Sequence, residues 1–301
     1  MLLDCVVIGG GPSGLNASLV LARAKKNIIL FDDDKPRNAI THESHGFITR
    51  DGIKPSEFKR KAKEDLMKYP NISVHNQRVI DIRKENQYFI IHTDDGNDYR
   101  SAKVILSTGM KDVMPDIKGM HDFYGTSLFN CPFCDGWELK DRALVVISEN
   151  ERAFHMTKMI FNWSKDLVVC TNGNKIFSKE QKELLTKNSI IVIEEKIVTL
   201  KGENGHLEKI QFNNGEEIVR EGGFVTTGLE QASPLAQNLG CIMNNMGGIE
   251  TDDFGRTNIE GVYASGDNRM SAPSQLIIAA SEGCKVAMGV ISDLVNEDFK
   301  W

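Results

Sequence analysis

The 301-residue chain has no apolar run long enough to cross a bilayer, no basic cluster longer than a few residues, and no basic segment ahead of its first apolar stretch. Its opening, MLLDCVVIGG, breaks at a glycine turn after about eight residues, far short of the roughly 20 that a membrane span needs. That stretch reads as the first buried strand of a cytoplasmic protein. A net charge of −6, with no basic stripe, gives no footprint for nucleic acid or an anionic membrane, so neither is expected as a partner. Cysteine is scarce. Four of the six, Cys5, Cys170, Cys241 and Cys284, stand alone in apolar surroundings, which speaks against a secreted disulfide framework and marks them as inert core thiols. With 41% hydrophobic and 26% charged residues, the chain is neither disordered nor fibrous, and it is long enough for two compact domains.

What the sequence does contain is a βαβ pattern, twice. A strand over residues 4–8 runs into glycines, a helix follows through SGLNASLVLARAK, and a second strand over 27–31 ends in Asp32, Asp33 and Asp34. That order is a Rossmann half. An amphipathic helix over 56–69, short antiparallel strands and the buried strand AKVILSTG come next. The second pattern begins near Arg142 with ALVVI, a helix over AFHMTKMIFNWS and the strand DLVVC, followed by its own meander. The last piece, GVYASGD and a long apolar helix from Ser274, has no sheet of its own and is expected to fold back on the N-terminal domain. The fold class is therefore α/β: two Rossmann-like, doubly wound, three-layer dinucleotide-binding domains, the second inserted into the first. Residues 1–113 with 242–301 form the first, and residues 114–241 the second.

The first turn, GGGPSG, has the G-x-G-x-x-G spacing in Gly9, Gly11 and Gly14, with Pro12 and Ser13 between them. Gly9 permits the tight turn, Gly11 lets the backbone approach a pyrophosphate, Gly14 allows close helix packing, and the helix N-terminus faces the phosphate charge. Asp32, at the end of the second strand, is placed to hold both ribose hydroxyls. FAD and NAD(H) share that half of the molecule, and both satisfy the turn. GVYASGD favours FAD, because Gly266 and Asp267 ahead of a helix can set a carboxylate on the ribityl and pyrophosphate arm; the alternative for Asp267 is a helix cap.

The second motif is CPFCDGWE, Cys131 to Glu138. A C-x-x-C pair brings two sulfurs within disulfide reach, and at a helix start one thiol acidifies, so that thiolate and disulfide interconvert by exchange. Half of a zinc site is the competing reading, but no second C-x-x-C completes the four ligands. Asp135 is placed to shuttle a proton when a sulfur leaves as thiolate, or else to cap a helix. His42 and His45, in THESHGF, are candidates to take a proton from an incoming dithiol, or are surface residues. Phe133 and Trp137 form either an apolar lip beside the pair or part of the core.

Taken in order, GGGPSG, the Ser107 to Gly109 turn, C-x-x-C with its Asp, GVYASGD and the helix start Ser274-Gln275-Leu276 resemble the low-molecular-weight thioredoxin reductases over nearly the whole chain. The stretch DDDKPRNAITHESHGFITRDG is most similar to the branch with FAD-dependent dithiol oxidases acting on gliotoxin-like and holomycin-like metabolites. The resemblance implies FAD as cofactor and a homodimer. It also implies that Cys134 lies nearer the flavin, that Cys131 exchanges with substrate and that Asp135 acts as acid. By the same resemblance Ser13, Asn38, Val79, Thr108, Gly109, Asp267, Gln275 and Leu276 line FAD.

The chain departs from that pattern at the second corner, VVISENERA. The three glycine positions hold Ser148, Asn150 and Ala153, with Glu149 and Glu151 between them. A Cβ on Asn150 stands where backbone must nearly touch a pyrophosphate, and like charges ~4 Å apart at an effective dielectric near 20 cost on the order of 4 kcal/mol before screening, about a thousandfold in affinity. After DLVVC come Thr171, Asn172, Gly173 and Asn174, with neither an arginine cluster nor an acid for a nicotinamide dinucleotide, and Lys175 the only nearby cation. NAD(P)H is therefore not expected as the electron partner. Electrons then run either from a small dithiol through the cysteine pair and FAD to O2, the favoured direction, or from ferredoxin or flavodoxin, or from NADPH held by some other geometry, towards a thioredoxin-like protein. A non-catalytic FAD-binding redox sensor is the remaining class.

Overall fold

The computed structural model describes residues 2–299. Strand β1 (Leu2–Ile8) runs into helix α1 (Pro12–Arg23), then β2 (Ile28–Phe31), α2 (Pro55–Leu66) and β3 (Ile72–His75). β4 (Val79–Glu85), β5 (Tyr88–Thr93) and β6 (Asp98–Leu106) follow as an antiparallel meander. β7 (Met110–Val113) leads to α3 (Met120–Phe123), β8 (Leu128–Phe129), α4 (Pro132–Asp135), β9 (Leu144–Ile147), α5 (Arg152–Ile160), β10 (Leu167–Cys170), α6 (Lys179–Lys187) and β11 (Ile191–Ile193). A hairpin and a third strand, β12 (Ile197–Glu203), β13 (His206–Phe212) and β14 (Glu217–Val219), precede β15 (Gly222–Val225) and β16 (Gly228–Gln231). The chain closes with α7 (Leu235–Asn238), β17 (Val262–Ala264) and α8 (Leu276–Asp298).

The chain folds as two compact units. In the first, β3, β2, β1, β6 and β17 lie side by side and parallel, Cys5 opposite Ile28 on one side and Lys103 on the other. Strand side chains alternate between faces, and the β1 sequence uses that alternation on both. Cys5 and Val7 point into a core with Leu15 and Leu21 of α1 and Val286 and Val290 of α8. Val6 and Ile8 point into the opposite core with Val79, Ile82, Phe89 and Ile249. The final helix does return to the N-terminal domain: at Gly283 a Cβ would lie 2.1 Å from the Ser13 carbonyl oxygen of α1, a contact only glycine allows.

The second unit has an all-parallel sheet in the order β11, β10, β9, β15, β8. Its runs LVVI and LVVC are buried on both faces, as parallel strands must be. One face packs on α5 and α6 through Ala153, Ile160 and Leu185; the other packs on the β12–β14 meander through Leu200, Ile210 and Phe212.

The boundaries differ from those expected. The chain rejoins the first unit at Glu230 rather than at residue 242, because Leu235, Ala236 and Cys241 belong to the core of Val79, Ile82 and Phe89. Residues Ile40–His45 group with the second unit, where Gly125, with φ of +87°, would bring a Cβ within 2.7 Å of the Ile40 carbonyl oxygen. α8 begins at Leu276, after Gln275, whose backbone is extended at the N-cap, so Ser274 lies outside the helix. No helix among the described residues is long and apolar enough to cross a membrane.

Candidate active site

In the first unit, the glycine turn between β1 and α1 makes a cradle. At Gly9, φ is +107° and a Cβ would sit 2.2 Å from the Ser107 carbonyl oxygen; at Gly14 it would sit 1.9 Å from that of Gly9. A Cβ at Gly11 meets nothing within 4 Å. Two glycines are thus demanded by the protein's own backbone, while the third faces space that a ligand can enter. α1 starts with Pro12, has no side-chain cap and has no acid in its first turn, so its N-terminal N–H groups and dipole are available to an anion.

Other residues expected to line a cofactor lie in the same unit. Asp32 is 6% exposed and accepts from the Gly10 N–H at 3.3 Å. Burial raises the Asp267 carboxyl above its usual range, opposed by Arg37, whose Nη1 is 3.4 Å from Oδ2. Asp267 forms no helix cap, so that alternative is set aside. The Ser13 and Ser265 hydroxyls bond at 2.7 Å, and Ser265 also meets Ser107 at 3.0 Å. Gly109 takes φ of +70° in the turn after Thr108, and Gly266 takes +83° just before Asp267. Asn38 lies in the short helical turn after Arg37, Gln275 stands at the N-cap of α8 and Leu276 opens it. The Val79 side chain is in the core, which leaves its backbone as the part able to face a ligand. This donor set, an anion cradle flanked by buried carboxylates, suits the adenosine diphosphate and polyol arms of FAD.

In the second unit, Cys131 and Cys134 are joined as a disulfide, their Cα atoms 5.3 Å apart. Cys131 is the N-cap residue of α4 and its carbonyl accepts from Cys134 N–H at 3.1 Å, so the turn itself holds the pair. Asn130, just before it, donates to Asp112 at 3.0 Å, and Thr227 donates to the same oxygen at 2.8 Å. Behind the pair, a Cβ at Gly136 would lie 2.8 Å from the ring of Trp163, against whose edge Phe133 stacks at 5.8 Å. Phe133 and Trp137 are 62% and 68% exposed, with Lys140 over the Trp137 ring at 3.3 Å. They form a lip, not core.

Asp135 is the one strongly perturbed acid here. Burial, then the negative charge of Glu138, lift its carboxyl to about 7, with His45 opposing. His45 Nε2 lies 3.6 Å from Glu138 Oε1 and 3.8 Å from Glu43 Oε2, with only 17% of its side chain exposed. His42 is exposed. The sequence singled out Asp135 and His45, but it gave Glu138 no role. A carboxyl that titrates near neutrality can donate a proton to a leaving thiolate and take one back. Three of the remaining cysteines are buried, as expected of core thiols: burial drives the Cys5 thiol far up, Cys170 up to about 12 and Cys241 upward; Cys284 is half-buried and departs from that expectation. No group of three His, Cys, Asp or Glu among the described residues is disposed to hold a metal.

The second corner is filled by its own side chains. Ser148 is fully buried; its hydroxyl donates to the Asn150 carbonyl at 3.1 Å and accepts from Thr226 at 2.6 Å. Asn150 Oδ1 accepts from Arg152 N–H at 3.1 Å and from its Nε–H at 3.3 Å, and Arg152 Nη2 donates to the Thr227 carbonyl at 2.7 Å. Glu149 accepts from Asn172 at 2.6 Å. Glu149 and Glu151 are exposed, so screening reduces the repulsion expected from the sequence.

A family model for pyridine nucleotide-disulphide oxidoreductases matches residues 3–283 of this chain. A Bacillus anthracis protein named as a thioredoxin reductase, TrxB, is 47% identical with a TM-score of 0.95, the match covering 99% of this chain and 100% of that one. An Agrobacterium tumefaciens oxidoreductase is 30% identical with a TM-score of 0.92, over 98% and 99% of the two chains. Thioredoxin reductase sirT from Leptosphaeria maculans is 28% identical over 99% of this chain and 96% of its own.

Proposed function

This chain belongs to the pyridine nucleotide-disulphide oxidoreductases as a thioredoxin reductase-like, FAD-dependent enzyme, and we propose that within them it oxidises a small dithiol without using NAD(P)H. The observation that carries this reading is the self-bonded corner Ser148-Asn150-Arg152. Its leading helix N–H is spent on Asn150, and its Arg152 is spent on a backbone carbonyl. A diphosphate would have to break those bonds and displace a buried hydroxyl.

Gly9, Gly11, Pro12, Ser13 and Gly14 would hold the FAD pyrophosphate, Asp32 its ribose, and Asp267 with Arg37 the ribityl arm, with Asn38, Thr108, Gly109, Gln275 and Leu276 around it. When bound, FAD would supply a two-electron acceptor that O2 can reoxidise, the O2 leaving as hydrogen peroxide. The protein's own steps are thiol exchange. A substrate thiolate attacks Cys131 Sγ, the Cys131–Cys134 bond breaks, and Asp135 donates a proton at the departing Cys134 sulfur. The second substrate thiolate then attacks the substrate sulfur of the mixed disulfide and releases Cys131. The substrate leaves as a disulfide, two electrons poorer, and the reduced cysteine pair passes those electrons on. Support for this direction comes from the resemblance of the DDDKPRNAITHESHGF stretch to dithiol oxidases. The proposed setting is a cytoplasmic homodimer.

Oxygen uptake by the flavin-loaded enzyme with a small dithiol tests this. The expected result is one peroxide per disulfide formed, abolished in Cys131→Ser. Absence of oxygen uptake, with reduction of a thioredoxin-like protein driven by reduced ferredoxin instead, would reverse the direction.

A further inference from the structure

Among the described residues, Lys59 is a lysine with 7% of its surface exposed, yet it sits on α2, where the sequence predicts a charged outer face. Its ammonium reaches two carboxylates, Asp32 Oδ2 and Asp34 Oδ1, each at 2.6 Å. One turn later on the same helix face, Lys63 Nζ is 3.4 Å from Asp32 Oδ2. The other oxygen, Oδ1, accepts from the N–H groups of Gly10 and Asp34, each at 3.3 Å. Oδ2 has the two ion contacts but no aligned hydrogen-bond donor.

We infer that Lys59 is a positioning residue for the cofactor: it pins Asp32 against the glycine turn and balances the acidic run Asp32-Asp33-Asp34, so that the Asp32 carboxylate stays fixed at the turn that would receive the ribose. This rests on the reading above in which Asp32 binds the FAD ribose. The geometry is specific. A Cβ at Gly10 would lie 2.4 Å from Asp32 Oδ2, so this carboxylate is pressed against the turn that leads into α1. Three consecutive acids beside a diphosphate would oppose its binding. Two are matched by Lys59 and Lys63, and Asp33 is exposed to solvent. Asp34 is held by the same ammonium in a left-handed conformation, φ of +59°, and its carboxyl is kept below the usual range by that hydrogen bond. Lys59 thus acts on the ribose through Asp32.

The test is the FAD dissociation constant of the full-length protein, read by flavin fluorescence after ultrafiltration, in Lys59→Met, Lys59→Arg, Asp32→Asn and the double variant Asp32→Asn with Lys59→Met. Losing one hydrogen-bonded charge partner predicts that Lys59→Met weakens FAD by roughly ten- to a hundredfold, with the far-UV circular dichroism unchanged. Lys59→Arg should restore most of that. In the Asp32→Asn background, Lys59→Met should add nothing, because the group it positions is already disabled. A wild-type constant in Lys59→Met, or the same loss with and without Asp32, overturns the inference while leaving the ribose reading intact. A wild-type constant in Asp32→Asn overturns both. If Lys59→Met does not fold, Lys63→Met carries the test: a smaller loss is expected, and no change counts against the inference.

Discussion

The side-chain oxygen of Asn150 accepts both the backbone N–H and the Nε–H of Arg152, at 3.1 and 3.3 Å. The residue that stands where a nucleotide-binding corner needs glycine is therefore tied by its side chain to the first residue of the helix that follows. Asn150→Ala should lower stability by about 1 kcal/mol, as loss of a side-chain hydrogen bond does, seen as a reduced thermal midpoint. Flavin content should stay unchanged, since the cofactor cradle belongs to the other unit. A variant that lost flavin together with stability would contradict this assignment.

Gly9 and Gly11 differ in what surrounds them, and alanine separates the two roles. Gly9→Ala should fail to fold the first unit, because the turn has φ of +107° and the new Cβ would lie 2.2 Å from a carbonyl oxygen. Gly11→Ala meets no protein atom; its flavin-free thermal midpoint should match wild type while FAD affinity falls by at least tenfold. Equal thermal midpoints and equal affinities in Gly11→Ala would show that no ligand approaches that backbone.

Asp135, raised to about 7 by burial and Glu138, sets a pH window. As a neutral acid it serves the leaving Cys134 thiolate below about pH 7, and it loses that proton above. The rate ratio of wild type to Asp135→Asn for dithiol reduction of the disulfide should reach about 10² or more at pH 6 and shrink towards pH 9. The same shift has a stability counterpart. A carboxyl with a raised folded pKa contributes fully below its unfolded value near 4 and progressively less as pH rises through about 7. Asp135→Asn should thus be more stable than wild type at pH 8, with the gap closing by pH 4. A rate ratio that is flat across pH would remove the acid role.

Much of the fold was legible because it depends on local pattern. VVI, LVVI and LVVC are buried parallel strands, and Gly14 is required by a backbone contact with Gly9, five residues earlier in the same turn. Cys131, Cys134 and Asp135 came from one motif. What escaped depends on distance in sequence. Lys59 looks like any surface lysine of an amphipathic helix until Asp32 and Asp34 approach it from another strand end. Glu138 matters only because His45 and Asp135 share its surroundings. The return at Glu230 was missed because α7 spans only Leu235–Asn238, too short to show a periodicity. The repulsion expected at Glu149 and Glu151 was overstated for a related reason: exposure cannot be read from charge, and both side chains face solvent.

The central claim is that the corner from Ser148 to Ala153 admits no diphosphate. Anaerobic mixing of the yellow enzyme with millimolar NADH or NADPH, followed by a small dithiol, tests it in one cuvette. The flavin absorbance should stay unchanged through the nucleotide additions and bleach on addition of dithiol. Rapid bleaching by NADPH alone would contradict the claim and restore nicotinamide as the electron source.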